Sequence, residues 1–338
     1  MSRISYSLDV SYLDRAGNRA NHDLQVLGTA AAVKTRVGEK DALYLQFIRS
    51  EQESGDVRQL YDPATSNSGL RIESDQPVDL IAGWTREWSE ESRILAVFGR
   101  LDATQRTVDP NANVLTVFEA NGVPTAVAPA GFGSRRFQSF LDERFLVWSG
   151  EVQQLWENES HSVVAGLRHQ QGDFESDSQL TKFPGQLVTY PSGLVSVSPG
   201  MSRTTGYLYE NWTLHPSLKL LGGIAYDVLT HPENTQLPPL QEHEWRRRLF
   251  SPKAGVVWTP DENWMFRGAY SRSMSGLSFD NSLRLEPVHF AGFVQVYRSL
   301  IPESIAGGVA GAQFDLWNLD IQYSPRTGTW LMARAERL

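Results

Sequence analysis

The stretch SPKAGVVWTPDENWMFRGAYSRSMSG, Ser251 to Gly276, decides the fold. Ala254, Val256 and Trp258 fall on one side of a pleat, the polar cluster Pro260-Asp261-Glu262-Asn263 interrupts, and Trp264, Phe266 and Tyr270 resume the alternation beyond it. Side chains two apart share one face of an extended strand. A short Pro/Asp/Asn break between two such runs is hairpin chemistry. The segment therefore reads as strand, tight turn, strand, with Arg267 and Ser271 on the face opposite the aromatic one. A Trp stands on each side of the turn, and the remainder of the chain must explain why.

The same period runs through almost all of the 338 residues. Strands are expected near 3–13, 20–36, 41–51, 79–88, 93–107, 137–156, 161–174, 203–214, 218–229, 246–258, 264–274, 313–323 and 329–338. Short turns rich in Gly, Pro, Asn, Asp, Glu or Ser join them in pairs, at 38–41, 89–92, 157–160, 215–217, 259–263 and 324–328. Longer polar or Gly/Pro-rich connections are expected on the opposite side, over 52–78, 108–136, 175–202, 230–245 and 275–312, and only the first connection there, 14–19, is short.

Short turns at one end and long loops at the other are the layout of a transmembrane β-barrel, whereas soluble sandwiches mix crossings at both ends. The faces agree. Ile4, Tyr6, Leu8, Val10 and Tyr12 alternate with Ser5, Ser7, Asp9 and Ser11. Leu146, Trp148, Val152 and Trp156 oppose Ser149, Glu151 and Gln153, and Trp317, Leu319, Ile321 and Tyr323 oppose Asn318, Asp320 and Gln322. One face suits lipid and the other water. Asp9, Ser149, Glu151, Gln153, Asp227, Arg267, Asn318, Asp320 and Gln322 are thus expected to face the lumen. Trp88, Trp156, Trp212, Trp258, Trp264 and Trp330 lie at or near short turns, where a girdle would place indole rings at the headgroup level. That placement accounts for the two Trp of the opening hairpin.

Composition narrows the function classes. With 41% hydrophobic residues the chain is not disordered. A net charge of -8 and no basic cluster denser than Arg246-Arg247-Arg248 argue against a nucleic-acid partner. No run approaches the about 20 apolar residues of a spanning helix, and MSRISYSLDV has no signal-peptide pattern. There are no cysteines, so no disulfide or thiolate metal site. Catalytic and cofactor signatures are missing: no nucleophile elbow, phosphate loop or dinucleotide fingerprint. Glu242, His243 and Glu244 are neighbours in an extended chain and point to opposite sides, so they read as a solvated cluster. His161 and His169 stand eight residues, about 27 Å, apart along one strand, too far for one metal ion. Neither a catalytic residue, a metal site nor a cofactor is expected.

Ser251, Pro252, Lys253, Gly255, Trp258 and Pro260, followed by Arg267, Tyr270, Ser271 and Arg272, resemble the strand-turn-strand units of TonB-dependent outer-membrane receptors. HSVVAGLRHQQGDF from His161 and LKLLGGIAYD from Leu218 look like further strands of that kind. The resemblance implies an all-β, antiparallel up-and-down barrel in the bacterial outer membrane, a solute conduit rather than an enzyme. Its implied partners are outer-membrane lipid, a small-molecule or oligosaccharide solute, and a TonB-type energy-coupling protein acting through a plug that these residues do not contain. Two alternatives stand beside it: a plugless porin or exporter, like the barrels that follow a tetratricopeptide region, and a surface β protein that binds carbohydrate through exposed Trp and Tyr.

The chain is expected to be one barrel domain over 1–338 or part of a larger barrel. About thirteen to fourteen strands are counted, single-chain bacterial barrels close with an even number, and receptors of this kind are wider, at 22 strands. Asn113 to Glu119 is assigned to an outer loop. Ala291 to Phe314, rich in small residues, is read as another, with folding inside or over the barrel as the alternative.

Overall fold

A computed structural model describes residues 4–58, 66–115, 117–120, 123–127, 134–185, 193–235, 240–275, 284–295, 311–326 and 328–338. The strands, in chain order, are β1 (Ile4–Arg15), β2 (Leu24–Val37), β3 (Asp41–Ser54), β4 (Arg71–Glu87), β5 (Ser92–Leu115), β6 (Val117–Ala120), β7 (Val123–Val127), β8 (Ser134–Glu157) and β9 (His161–Lys182). They continue with β10 (Leu194–Val197), β11 (Gly200–His215), β12 (Leu218–Asn234), β13 (Gln241–Asp261), β14 (Trp264–Met274), β15 (His289–Phe290), β16 (Phe293–Val294), β17 (Gln313–Arg326) and β18 (Thr329–Arg337). No helix occurs among the described residues.

One 14-stranded sheet dominates, in the order β1-β2-β3-β4-β5-β8-β9-β11-β12-β13-β14-β17-β18, with β10 on an outer stretch of β9. Every strand on this path is antiparallel to its neighbours in the chain's own order, as an up-and-down wall requires. Among the described residues β1 and β18 each pair on one side only, and both run from the turn side towards the loop side.

The opening hairpin is β13 and β14. Its register pairs Trp258 with Phe266 and Asp261 with Trp264 across a local irregularity. The turn is tighter than its composition suggests, because strand pairing runs on to Asp261. That carboxylate accepts from the backbone N–H of Asn263 at 2.8 Å and of Trp264 at 3.2 Å, satisfying two turn donors.

The expected long loops need correction, because the strands outrun them. β5 and β8 have 24 residues each and β9 has 22. A tilted strand needs only about 9–11 to cross the hydrocarbon, so their loop-side halves stand beyond it. There the inner positions stay buried, Ser176, Ser178 and Leu180 among them, but the apolar alternation stops while the backbone ladder continues. Asp173 to Lys182, largely polar on both faces, still pairs residue by residue with Phe137 to Leu146. Asn113 to Glu119 is likewise no simple loop: β5 runs through Leu115, and Val117 starts a small ribbon, β6 with β7. Thr116 lies outside the described residues, as do 296–310 of the segment Ala291 to Phe314.

The expected connection 275–312, which contains that second segment, needs a further correction. Instead of standing outside as a loop, residues 284–295 fold onto one face of the wall, which we term the inner face. Phe290, Ala291 and Phe293 are buried there with Val164, Tyr207, Tyr209, Ala225 and Ala269.

Candidate functional site on the inner face

Alternation along β8 sends Ser149, Glu151 and Gln153 to the inner face, where each is buried, and leaves Trp148 and Val152 exposed on the other. Register then aligns inner residues across strands: Glu151 beside Arg168, Arg168 beside Thr205, Thr205 beside Asp227. Arg203 and Asp227 form a pair that is 3% exposed on both sides, with Nη2 to Oδ1 at 2.8 Å and Nε to Oδ1 at 3.1 Å. The Thr205 hydroxyl donates to the same oxygen at 2.6 Å. A buried charge is tolerated only when paired and hydrogen-bonded, and this one is both.

The segment 284–295 lies against this surface. Its tip is a two-residue turn between β15 and β16, with Ala291 at φ 51° and Gly292 at φ +81°. Positive φ at both central positions is the turn whose twist suits a hairpin. Gly255 of the wall permits the approach, because a Cβ there would stand 2.9 Å from the Ala291 Cβ.

Polar groups hold the hairpin's base. Glu151 accepts from the backbone N–H of Leu285 through Oε2 at 2.8 Å and from that of Glu286 through Oε1 at 2.9 Å. Gln153 donates to the Leu285 carbonyl at 2.8 Å and to the Tyr207 hydroxyl at 3.0 Å, and Tyr207 donates to Glu151 at 2.6 Å. The Tyr209 hydroxyl donates to Glu286 and accepts from Lys253 at 2.5 Å. Lys253 Nζ stands 3.6 Å from the Glu286 carboxylate, and Arg284 closes on its other oxygen. Burial opposes the Glu286 charge, but Arg284, Lys253 and the Tyr209 hydroxyl outweigh it and hold the carboxyl down at about 2.

At the tip, Phe293 lies under two guanidinium groups, Arg267 at 5.4 Å and Arg334 at 5.5 Å from the ring centre. Both reach the fully buried Asp320, Arg267 at 3.0 Å and Arg334 at 3.4 Å. Below the tip a cavity of about 620 Å³ opens towards the turn side, lined by Glu157, Lys219, Arg267, His289 and Gly292 among others.

Of the residues expected at the lumen, Ser149, Glu151, Gln153, Asp227, Asn318 and Asp320 are buried, Arg267 and Gln322 half-buried, and Asp9 exposed on the edge strand β1. Glu151 and Gln153 meet at the hairpin's base and Arg267 and Asp320 at its tip. Asp9 is remote from both. Sequence reading missed Arg168, Arg203, Thr205, Tyr207, Tyr209, Lys253 and Glu286. The alternation in RTTGYLYE places Arg203, Thr205, Tyr207 and Tyr209 on one side and was the available signal.

On the outer face the turn-side Trp form stacks. His161 lies between Trp156 and Trp212, with ring centres at 6.5 and 5.9 Å. Trp258, Phe266, Trp264 and Tyr323 follow one another at 5.2, 5.6 and 4.3 Å. Trp88 carries Arg86 over its ring at 4.6 Å, and Trp330 is 58% exposed. His243 stands edge-on to Trp245 among exposed residues, and no group of three potential metal ligands gathers among the described residues.

At the loop end, Asp56 ties three segments together. Its carboxylate accepts from Arg58 Nε at 2.7 Å and from the Asn67 N–H at 2.8 Å, while its own N–H donates to the Asn21 carbonyl at 2.6 Å. The Arg58 guanidinium holds this carboxyl well below the usual carboxylate range.

A wall of this order, with an apolar outer face, a charged inner face and turn-side aromatic stacks, matches a known family model. Residues 6–319 match the TonB dependent receptor-like β-barrel. The chain belongs to that family. Its barrels are bacterial outer-membrane proteins, and they serve as transport receptors rather than enzymes. Among solved structures it is similar to the ferripyoverdine receptor of the Pseudomonas aeruginosa outer membrane, at 9% identity and a TM-score of 0.66, covering 99% of this chain and 44% of that one. BauA, the ferric preacinetobactin receptor of Acinetobacter baumannii, gives 9% and 0.65, covering 96% and 48%. FyuA, the ferric yersiniabactin uptake receptor of Yersinia pestis, gives 9% and 0.62, covering 98% and 49%. The chain spans about half the length of these receptors. No curated protein sequence matches it.

Proposed function

We propose that this chain forms part of the wall of an outer-membrane conduit for solute uptake. The observation that carries the reading is the division of the long strands into an exposed apolar outer face and an inner face on which Glu151, Arg168, Asp227 and Asp320 are buried. Membrane strands need the first, and a path for a polar solute needs the second. Trp88, Trp156, Trp212, Trp258, Trp264 and Trp330 anchor the turn-side rim in the headgroups, and the lumen candidates other than Asp9 belong to the inner wall. Among the described residues the buried charges pair across strands, Arg203 with Asp227 and Arg267 with Asp320. The solute class is a metal chelate, as it is for the similar ferric-siderophore receptors, and the coupling partner a TonB-type protein engaged through a plug. Cells lacking the protein should accumulate less radio-iron supplied as ferric pyoverdine, preacinetobactin or yersiniabactin, in a manner sensitive to collapse of the proton gradient. Unchanged accumulation of all three would refute the metal-chelate class. An outer-membrane fraction free of the protein would refute the conduit itself.

A further inference from the structure

We infer that the hairpin 284–295 is an internal stopper of this conduit, seated in a carboxylate-binding site of the wall, and that solute passage requires its release. The inference rests on the conduit reading above.

The wall presents what an acidic extended segment would need. Glu151 takes two consecutive backbone N–H groups, Gln153 supplies a donor to the carbonyl between them, and Tyr209 with Lys253 receives the carboxylate of Glu286. The hairpin is thus bound in cis as a peptide ligand is bound, through its main chain and one acidic side chain. Arg284 adds the second cation on the hairpin itself.

The contacts also suit a reversible closure. Glu286, Arg284 and Lys253 balance charge when docked, and each would be hydrated in a water-filled lumen when released. A permanently packed element would be held chiefly by buried apolar side chains, whereas here the fully buried ones are at the tip, Phe290, Ala291 and Phe293, and Leu285, Pro287 and Val288 of the base are only half-buried. The tip reaches to the turn-side cavity beneath Gly292 and the base rests on Glu151 and Gln153, so the docked hairpin lies against the turn-side half of the wall rather than capping its loop-side rim. Phe293, under the Arg267 and Arg334 pair bound to Asp320, fixes the lower end.

The chain contains no cysteine, so an engineered pair reports without background. In the whole protein, Gly255→Cys with Ala291→Cys brings two Cβ atoms about an ångström closer than disulfide spacing, so the bond forms once the hairpin tip shifts outward by that much, and Gly255→Ala alone controls for the shift. Oxidation should produce a mobility shift on denaturing gels. Glu286→Gln and, separately, Gly292→Val, which crowds Arg267, should each raise single-channel conductance in planar bilayers several-fold, and oxidation of the cysteine pair in either background should return it to the wild-type level. Absence of the cross-link would overturn the placement. A cross-link that forms while conductance stays the same in every variant would overturn the stopper, leaving the conduit reading intact if wild-type protein conducts. Silence of all forms, including one with 285–294 replaced by a Gly/Ser linker, would overturn the stopper, because the conduit would then be closed by something other than this hairpin, while the uptake measurement tests the conduit itself.

Discussion

Replacing Val152 by Arg tests whether the outer face meets lipid. Val152 is 48% exposed on β8, four residues before Trp156 at the turn-side rim. Four residues advance about 13 Å along a strand, or about 10 Å in depth at a tilt of about 40°. In an apolar band about 25 Å tall that is close to the midplane. Leu319, 54% exposed, stands four residues before Tyr323, which stacks on Trp264, and so sits at the same depth. Leu331 pairs with Tyr323 and lies at the rim itself. Arg at the midplane should therefore cost about 2–4 kcal/mol for Val152→Arg and Leu319→Arg, and about 0–1 kcal/mol for Leu331→Arg.

The assay is reversible guanidinium unfolding of the whole protein in lipid vesicles, followed by Trp fluorescence. The depth profile is the decisive result, since an exposed side chain on a water-facing surface tolerates Arg within about 0.5 kcal/mol wherever it stands. If all three substitutions cost alike, or Leu331→Arg costs most, the outer face is not immersed as argued and the aromatic stacks need another explanation.

Asp227→Ala removes the carboxylate from a guanidinium that is 3% exposed, and should lower stability by about 3–5 kcal/mol in the same assay. Asp227→Asn keeps an oxygen for Thr205 and should lose less. Acid should free the hairpin: the Glu286 carboxyl, facing Arg284, Lys253, Tyr209, Glu151 and Arg168, is held below its ordinary 4.5 at about 2. Its contribution is therefore complete above about pH 4.5 and disappears as pH falls through about 2. Thiol labelling of Ala291→Cys should accelerate across that window, and Glu286→Gln should flatten the profile. Asp56→Ala should leave global unfolding nearly unchanged but admit protease at 55–58 and 66–70, because the Asp56 contacts hold only loop-end segments.

The thirteen wall strands were legible because the membrane imposes one rule on each of them. Over the hydrocarbon, Leu146, Trp148 and Val152 must face out while Ser149 and Glu151 face in, and period two follows. Above it no such rule operates, so Asp173 to Lys182 carried no pattern to extend β9, although its ladder persists. The site was less legible because it depends on register. Glu286 meets Glu151, Tyr209 and Lys253, from 33 to 135 residues away, and no local pattern announces that meeting.

One trace of the hairpin was nonetheless written in the wall. A strand with lipid on one side and water on the other has no reason to bury apolar and aromatic side chains at its inner positions. On β9, β11, β12 and β14 those positions include Val164, Tyr207, Tyr209, Ala225 and Ala269, all buried. They adjoin a run of Arg168, Gln170, Arg203, Thr205, Asp227 and Ser271, and other buried inner apolar residues, Val147, Met201, Leu229 and Leu316 among them, lie nearer the loop side. Such a patch requires a cover, and PVHFAGF, with two Phe flanking Ala-Gly in a stretch otherwise read as a loop, has the complementary composition. Neither half is decisive alone, since an aromatic in a loop and a Tyr in a lumen are both ordinary. Their conjunction is not: the apolar positions on the wall count for little until a segment is found that would otherwise expose its own. Sequence reading weighed each face of each strand separately, and the hairpin is a relation between two faces that only register brings together.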